Sequence, residues 1–475
     1  MKKKIFTSLI FCFFLSAVSF NTLAQEYRYD ISKYYTPDIV RNRLDVSFNT
    51  NNSFSNSKSI IDTTRLTYST NMNGMITPDF QTYTNTRSRL SNFQISGQFS
   101  DTYYSSGSIN DSNPNKDFDS ENNLLLNYSN RFYNLKNQFL IAGIASNFQA
   151  QINNRNSSYG TNHIKETYHD YSLSITPTIG VGLGRIEQVE DARQAIYILE
   201  DLSKKGVLNR KLNDTEIFQF AQQISRVKNK RFLDYRLHLI DEITAVDSFL
   251  INNNLLKNSD ARYFTSLYDN WQYGALFSRK SGQSVEIKFE PYYNWNYYKV
   301  NPLDSTYRRQ VNQTIIRGGL SLVYTYEKPK NLNWQHSASV SLNGYTDLSN
   351  TINQNGYNVY QMGGNFSLNG YTTKSINLSG TYTLGFYPST RTNVNIGARQ
   401  NTSMLYYKEL NINSNSWGKS LISSTELYFS AYYYLSQQVR LSVGANIRNN
   451  YTNYYPNSDN QLYLNFGGTL SYSLF

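Results

Sequence analysis

Residues able to do covalent chemistry are few and scattered in this chain of 475 residues. The histidines are His163, His169, His238 and His336, and they make no spaced metal motif. The chain has no HExxH, no GxSxG and no phosphate loop. His336 shares its phase with Ala338 and Val340, but no Ser or Asn partner accompanies it, so a hydrolase is not expected. Gly180, Gly182 and Gly184 make only a GxGxG run at a strand end. Small residues facing a lumen explain that run better than phosphate binding. The one cysteine, Cys12, falls in an N-terminal apolar run, leaving no disulfide, thiolate metal site or Cys nucleophile beyond it. The expectation is therefore no catalytic, metal or cofactor site. The remaining chemistry is electrostatic. Glu286, Lys288, Glu290, Arg399, Glu426, Arg440 and Arg448 fall on the polar phase of alternating segments. Such charges either fill a polar interior as ion pairs or tune a solute path through it.

The elements that carry these charges are long strands. Tyr171, Leu173, Ile175, Pro177, Ile179, Val181 and Leu183 alternate with Ser172, Ser174, Thr176, Thr178, Gly180 and Gly182. This is period two, with one apolar and one small polar face. Val439 to Ile447 and Leu427 to Leu435 repeat it, and Val285, Ile287 and Phe289 oppose Glu286, Lys288 and Glu290. A strand in a soluble sandwich runs about 5–6 residues. These runs are roughly twice that, close to the 9–11 residues a tilted strand needs to cross hydrocarbon. Composition agrees. Aromatics reach 15%, with 42 Tyr, while charged residues are only 17%, against about 25% in ordinary soluble domains. Mean hydropathy is −0.56, which excludes a polytopic helical membrane protein.

The N-terminus reads as an export signal. Lys2, Lys3 and Lys4 precede an apolar run from Ile5 to Phe20, and Thr22-Leu23-Ala24 fits a cleavage site before Gln25. Loss of those three lysines lowers the formal charge from +11 to +8, an excess that suits anionic lipid or solute; nucleic acid is not an expected partner. Signal peptide, Cys-free mature chain, long alternating strands and terminal Phe475 together resemble Gram-negative outer-membrane β-barrels. The Tyr/Asn-rich style and turns such as Tyr387 to Arg391 are similar to those of Bacteroidota. One departure is that Leu470, Tyr472 and Leu474 carry the lipid-facing phase, and Phe475 falls one residue out of step.

The fold class expected is an all-β transmembrane antiparallel barrel of about fourteen strands with an α-helical periplasmic insertion. Strands are expected near 41–55, 60–73, 87–103, 119–133, 137–152, 167–182, 281–299, 309–326, 333–347, 375–387, 391–407, 423–435, 438–451 and 461–475. Tyr357 to Gly370 reads as an extracellular extension of the 375–387 strand, with twelve or sixteen strands as the alternatives. The divisions are a signal peptide 1–24, an N-terminal periplasmic segment 25–40, a first barrel half 41–182, an insertion 183–278 and a second half 279–475. In the insertion the period becomes 3.6: Val189, Ala192, Ile196, Leu199 and Leu202 line one helix, Asn213 with Glu216 makes a capping-box start, and residues 231–251 would form a helix about 31 Å long. Residues 261–278 read as a fourth short helix. Residues 183–260 balance twelve Lys/Arg against twelve Asp/Glu, a content no bilayer solvates. A small bundle is expected, its core including Ile196, Leu199, Phe218, Ile224, Leu239 and Ile243. Parity places it, and both termini, on the periplasmic side. The function expected is a channel or transporter for a solute or lipid-like molecule, non-enzymatic, with the bundle as plug or docking module. Its partners would be outer-membrane lipid and a periplasmic protein at the bundle. The rival reading is a non-transport barrel, either a scaffold of an envelope or secretion assembly or a binder of surface glycans.

Overall fold

The computed structural model describes residues 29–58, 66–108, 114–159, 162–230, 239–257, 259–273, 277–302, 309–355, 371–409, 418–436, 439–454 and 457–472. The expected signal peptide 1–24, His238, the expected extension at Tyr357 to Gly370, and Phe475 lie outside them. The strands are β1 (Ile39–Lys58), β2 (Leu66–Asn85), β3 (Arg89–Ser108), β4 (Asn115–Tyr133), β5 (Gln138–Tyr159), β6 (Asn162–Gln188), β7 (Lys280–Phe289) and β8 (Tyr292–Pro302). They continue as β9 (Arg309–Pro329), β10 (Trp334–Asn355), β11 (Tyr371–Phe386), β12 (Thr392–Glu409), β13 (Gly418–Tyr434), β14 (Val439–Tyr454) and β15 (Asn457–Tyr472). All belong to one antiparallel sheet in which sequence neighbours are spatial neighbours, the up-and-down order of barrels.

β7 and β8 share one place in the sheet. Both pair with β6 on one side and β9 on the other. The break between them falls at Glu290-Pro291, where proline has no N–H for the ladder. Fifteen segments thus make fourteen spans, and β7 with β8 is the single strand expected over 281–299. β2 is displaced from its expected 60–73 to Leu66–Asn85. Pro78 pairs with Val46 of β1 but leaves a gap in the ladder to β3, and the polar stretch around it weakens the period-two signal. The strands also outrun the expected ones: β3 reaches Ser108 and β5 reaches Tyr159.

The two faces differ as solvents would demand. Ile179, Val181 and Leu183 of β6 are 61%, 53% and 57% exposed, while the interleaved glycines and hydroxyls share the opposite, inner face. Every ladder carries that phase on: Leu183 pairs with Val285, Ile287 with Leu322, Leu427 with Ile447 and Leu441 with Leu470. The alternating apolar-out pattern is that of a transmembrane barrel wall.

The helices are α1 (Glu190–Lys204), α2 (Asp214–Asn229), α3 (Leu239–Asn252) and α4 (Ala261–Tyr273). The insertion therefore starts later than residue 183. Gly184 to Gln188 still pair with β7, and Gly184 takes φ +93 there, a left-handed value natural to glycine. The long third helix is described only from Leu239. The capping box at Asn213 and Glu216 is present. Ile196, Leu199 and Ile224 are buried in the bundle core, and Phe218, Leu239 and Ile243 pack half-buried against it. Ile31 and Tyr34, from the segment before β1, complete that core.

Candidate functional site

The inner face gathers charges in three groups, two of them built around sequence-marked residues. Arg399, Glu426 and Arg448 are in register across β12, β13 and β14. Glu426 is 6% exposed. Its carboxylate meets Arg399 at 3.3 Å and Arg448 at 3.1 Å and accepts from Asn446 at 2.6 Å. Two guanidiniums share one carboxylate, so this wall of the interior is net positive. Arg440 stands apart, 5.9 Å from the Tyr432 ring centre.

The second group joins strands that are not neighbours. Arg131 of β4 reaches Glu286 of β7 at 2.8 Å, passing the inner face of β5 and β6. Glycines clear the way: a Cβ on Gly182 would lie 2.3 Å from the Phe139 ring. The GxGxG run thus accommodates a crowded inner wall. Lys288 and Glu290 pair at 3.4 Å. The third group escaped the sequence reading. Asp347, 8% exposed, pairs with Arg317 and accepts from the Thr373 amide at 2.8 Å and hydroxyl at 2.7 Å. It ties β9, β10 and β11 beside a register shift between Asp347 and Ser349. A bulge of this kind breaks the alternation, so no signal in the sequence marked it.

Toward the end of the strands away from the bundle, the inner wall opens into a groove of about 440 Å³ lined by Glu121, Gln149, Asp170, Asn296, Tyr298 and Gln313 among others. Its chemistry is amide, carboxylate and phenol, suited to hydrogen-bonding a polar solute.

The bundle is anchored to the opposite end by one buried arginine, an ion pair and aromatic packing. Arg193 of α1, 1% exposed, donates to the Ser389 carbonyl at 2.9 Å in the β11–β12 turn. Arg279, fully buried just before β7, ties the return into the barrel to the β9–β10 turn: it donates to the carbonyls of Leu332, Asn331 and Trp334 and to the Gln335 side chain at 2.6–3.2 Å. Arg391 meets Asp269 of α4 at 2.6 Å, and Tyr273 packs on Tyr434 at the β13–β14 turn. Within the rim itself, Arg185 of β6 donates to the Thr86 and Arg87 carbonyls of the β2–β3 turn, and Glu187 of β6 pairs with Arg87 at 2.8 Å. The module is thus held to the rim at the β9–β10, β11–β12 and β13–β14 turns. Under it lies a buried polar knot. Asp191 accepts from Ser225 and Lys228, and the Tyr34 hydroxyl meets Ser225 at 2.9 Å. Burial, with the Asp191 charge beside it, pushes the Glu190 carboxyl up to about 7, and burial likewise raises the Tyr34 phenol.

Of the histidines, His336 Nδ1 lies 2.7 Å from the Tyr382 hydroxyl and His169 stacks on Tyr171. No cluster of three metal-ligating side chains forms among the described residues.

No protein-family model and no curated protein matches the sequence. Solved structures similar to the chain include the translocator domain of autotransporter NalP from Neisseria meningitidis, at 6% identity over 84% of this chain and 88% of that one, with TM-score 0.25. A bacterial polysaccharide outer membrane secretin matches at 7% identity over 92% and 99%, with TM-score 0.21. A BenF-like porin from Pseudomonas fluorescens Pf-5 matches at 7% over 93% and 100%, with TM-score 0.18.

Proposed function

We propose that this chain is a Gram-negative outer-membrane β-barrel that passes a polar solute through its interior, with the helical bundle capping the periplasmic mouth. The observation that carries the reading is the pairing of a polar, charge-lined inner face with a bundle fastened to one rim by Arg193, Tyr273 and the Asp269–Arg391 pair. A span count of fourteen lies between the side-chain-filled barrels of eight strands and the aqueous channels of sixteen to eighteen. The export signal expected at residues 1–24 and the outward apolar rows support the outer membrane as the location. Purified protein in planar bilayers tests the reading. Stepwise conductance is expected, and it should rise when Arg193→Ala and Arg391→Ala loosen the cap. A barrel that folds but never conducts, even with the cap loosened, contradicts it.

A second reading has its own observation. Ile240, Ile251 and Phe264 on the bundle are 77%, 52% and 46% exposed, which a docking module for a periplasmic protein would show. Under that reading Ile240→Asp and Phe264→Asp would abolish assembly in the envelope and leave conductance unchanged.

A further inference from the structure

The outer ends of the strands sort their charges by sign. On β4, Lys116 falls on one phase and Asp117, Asp119 and Glu121 on the other; on β6, Lys165 and His169 oppose Glu166 and Asp170. Residues two apart share a face. Lys116 is in phase with Leu124, and Lys165 and His169 with Ile179, both exposed on the outer wall. Every acid in these two segments therefore points into the lumen, and the bases point out. On β8, Lys299 shares the outward phase of Trp295 and Tyr297 and stands directly opposite His169. Among the described residues of β4, β5, β6 and β8, the outward phase beyond the tyrosines holds no carboxylate. Lys116, Lys165 and Lys299 make no ion pair among the described residues.

The depth of these bases follows from the strand. Below them the outward row of β6 is apolar from Leu183 to Leu173, eleven residues, the length a tilted strand needs to cross hydrocarbon. Tyr171 and Tyr297 come next, opposite each other with rings stacked at 6.0 Å, and Trp295 stacks on Tyr297 at 6.2 Å. Aromatic rings at this level mark the membrane interface. His169 stacks on Tyr171 at 6.2 Å. His169 and Lys299 lie two residues beyond the tyrosines, about 7 Å along the strand. Lys165 lies four residues beyond His169, about 14 Å further, and the ladders set Lys116 level with it through Asn156. Side chains directly opposite each other have Cβ atoms about 4.5–5.5 Å apart, so His169 and Lys299 can converge on one anionic oxygen.

We infer that this sector of the outer wall binds the phosphates of a lipopolysaccharide, with the stacked rings as the shelf beneath its head group. The inference rests on the orientation proposed above, which sets this end of the strands at the cell surface. Two depths of positive charge select the ligand. A glycerophospholipid carries its phosphate at one depth and would engage only His169 and Lys299. A lipopolysaccharide carries phosphates on its lipid A and again on its core sugars, and so reaches Lys165 and Lys116 as well. The acids stay clear of it because the same alternation turns them inward.

Native mass spectrometry of the full chain in micelles, with lipopolysaccharide, lipid A or phosphatidylglycerol added, tests the site. Lipopolysaccharide should be retained most tightly and lipid A next. His169→Gln with Lys299→Gln should weaken retention of both by about tenfold or more. Lys116→Gln with Lys165→Gln should weaken lipopolysaccharide and leave lipid A unchanged. Lys374→Gln with Lys419→Gln is the control: these lysines also face outward, on β11 and β13, but flank a single ring, Tyr406. Retention should not change there, and an equal loss would reduce the site to a general cationic belt and overturn the inference. Equal retention of phosphatidylglycerol, or of lipopolysaccharide stripped of its phosphates, overturns it too. Those two comparisons use the unsubstituted protein and hold even where a variant does not fold. Conductance reads the channel separately. A conducting barrel with no preference for phosphorylated glycolipid overturns the site and leaves the channel reading intact; selective retention without conductance does the reverse.

Discussion

Val443 and Ser442 are consecutive in β14 and face different solvents. Val443 shares the outward phase of Leu441 and Ile447 and pairs with Ala431 and Gly468, while Ser442 shares the inner phase of Arg440. Val443→Arg should cost about 2–4 kcal/mol if it sits near the bilayer midplane, and Ser442→Arg far less. Folding of both variants into vesicles, followed by urea titration, measures the difference; equal costs would reverse the faces. Glu190 makes a second residue-scale case, outside the membrane. Its folded carboxyl titrates near 7 rather than 4.5 because burial disfavours the charge. A raised carboxyl pKa means the folded state binds the proton more tightly. Bundle stability is thus fullest below pH 4.5 and falls as pH rises to about 7, by on the order of 3 kcal/mol. Thermal unfolding of the bundle, followed between pH 4.5 and 8, should show that slope, and Glu190→Gln should flatten it.

At the scale of elements, legibility tracked the strength of the period. β6, β13 and β14 were readable because large apolar residues alternate without interruption. β2 was misplaced because Pro78 and the Thr/Asn-rich residues around it hide the apolar row of Met72, Ile76 and Phe80. The start of the insertion was read too early because Gly184 to Gln188 have lost the apolar alternation yet still pair with β7. The helices were legible through their caps and charge order; their attachment was not, since Arg193 looks like an ordinary surface arginine until the turn it reaches is known, and Arg391 until its partner Asp269 on α4 is known. The segment before β1 was read only as periplasmic. Tyr34, 2% exposed, in fact packs into the bundle with Ile31. Tyr34→Ala should therefore destabilise the bundle by about 3 kcal/mol or more, with the barrel's resistance to detergent unchanged. Limited proteolysis between α1 and α2, read against the heat-shift of the barrel, separates the two effects. The barrel melting together with the bundle would mean that the two are one cooperative unit.

For the whole molecule the ladders fix which features share a side. β1 starts and β15 ends at the rim that carries the turns at 86–88, 134–137, 330–333 and 387–391, and β6 hands over to α1 at that same rim. The connections at the other end fall at 59–65, 109–113, 160–161, 303–308, 356–370, 410–417 and 455–456, outside the described residues. Short turns mark the periplasmic side of outer-membrane barrels and longer loops the cell surface. A charge-balanced bundle fits the same assignment, because it needs water on its free side and the barrel rim on the other. A protease site placed at Lys204-Lys205, at the exposed end of α1, reads the orientation directly. In intact cells it should resist added protease, and after osmotic opening of the outer membrane it should be cut while the barrel survives. A tag inserted at 303–308 should behave in the opposite way. Cutting at Lys204-Lys205 in intact cells would put the bundle on the surface and invert the direction of all fourteen spans. The cap would then guard the outer mouth, and the groove around Asp170 and Tyr298 would open toward the periplasm.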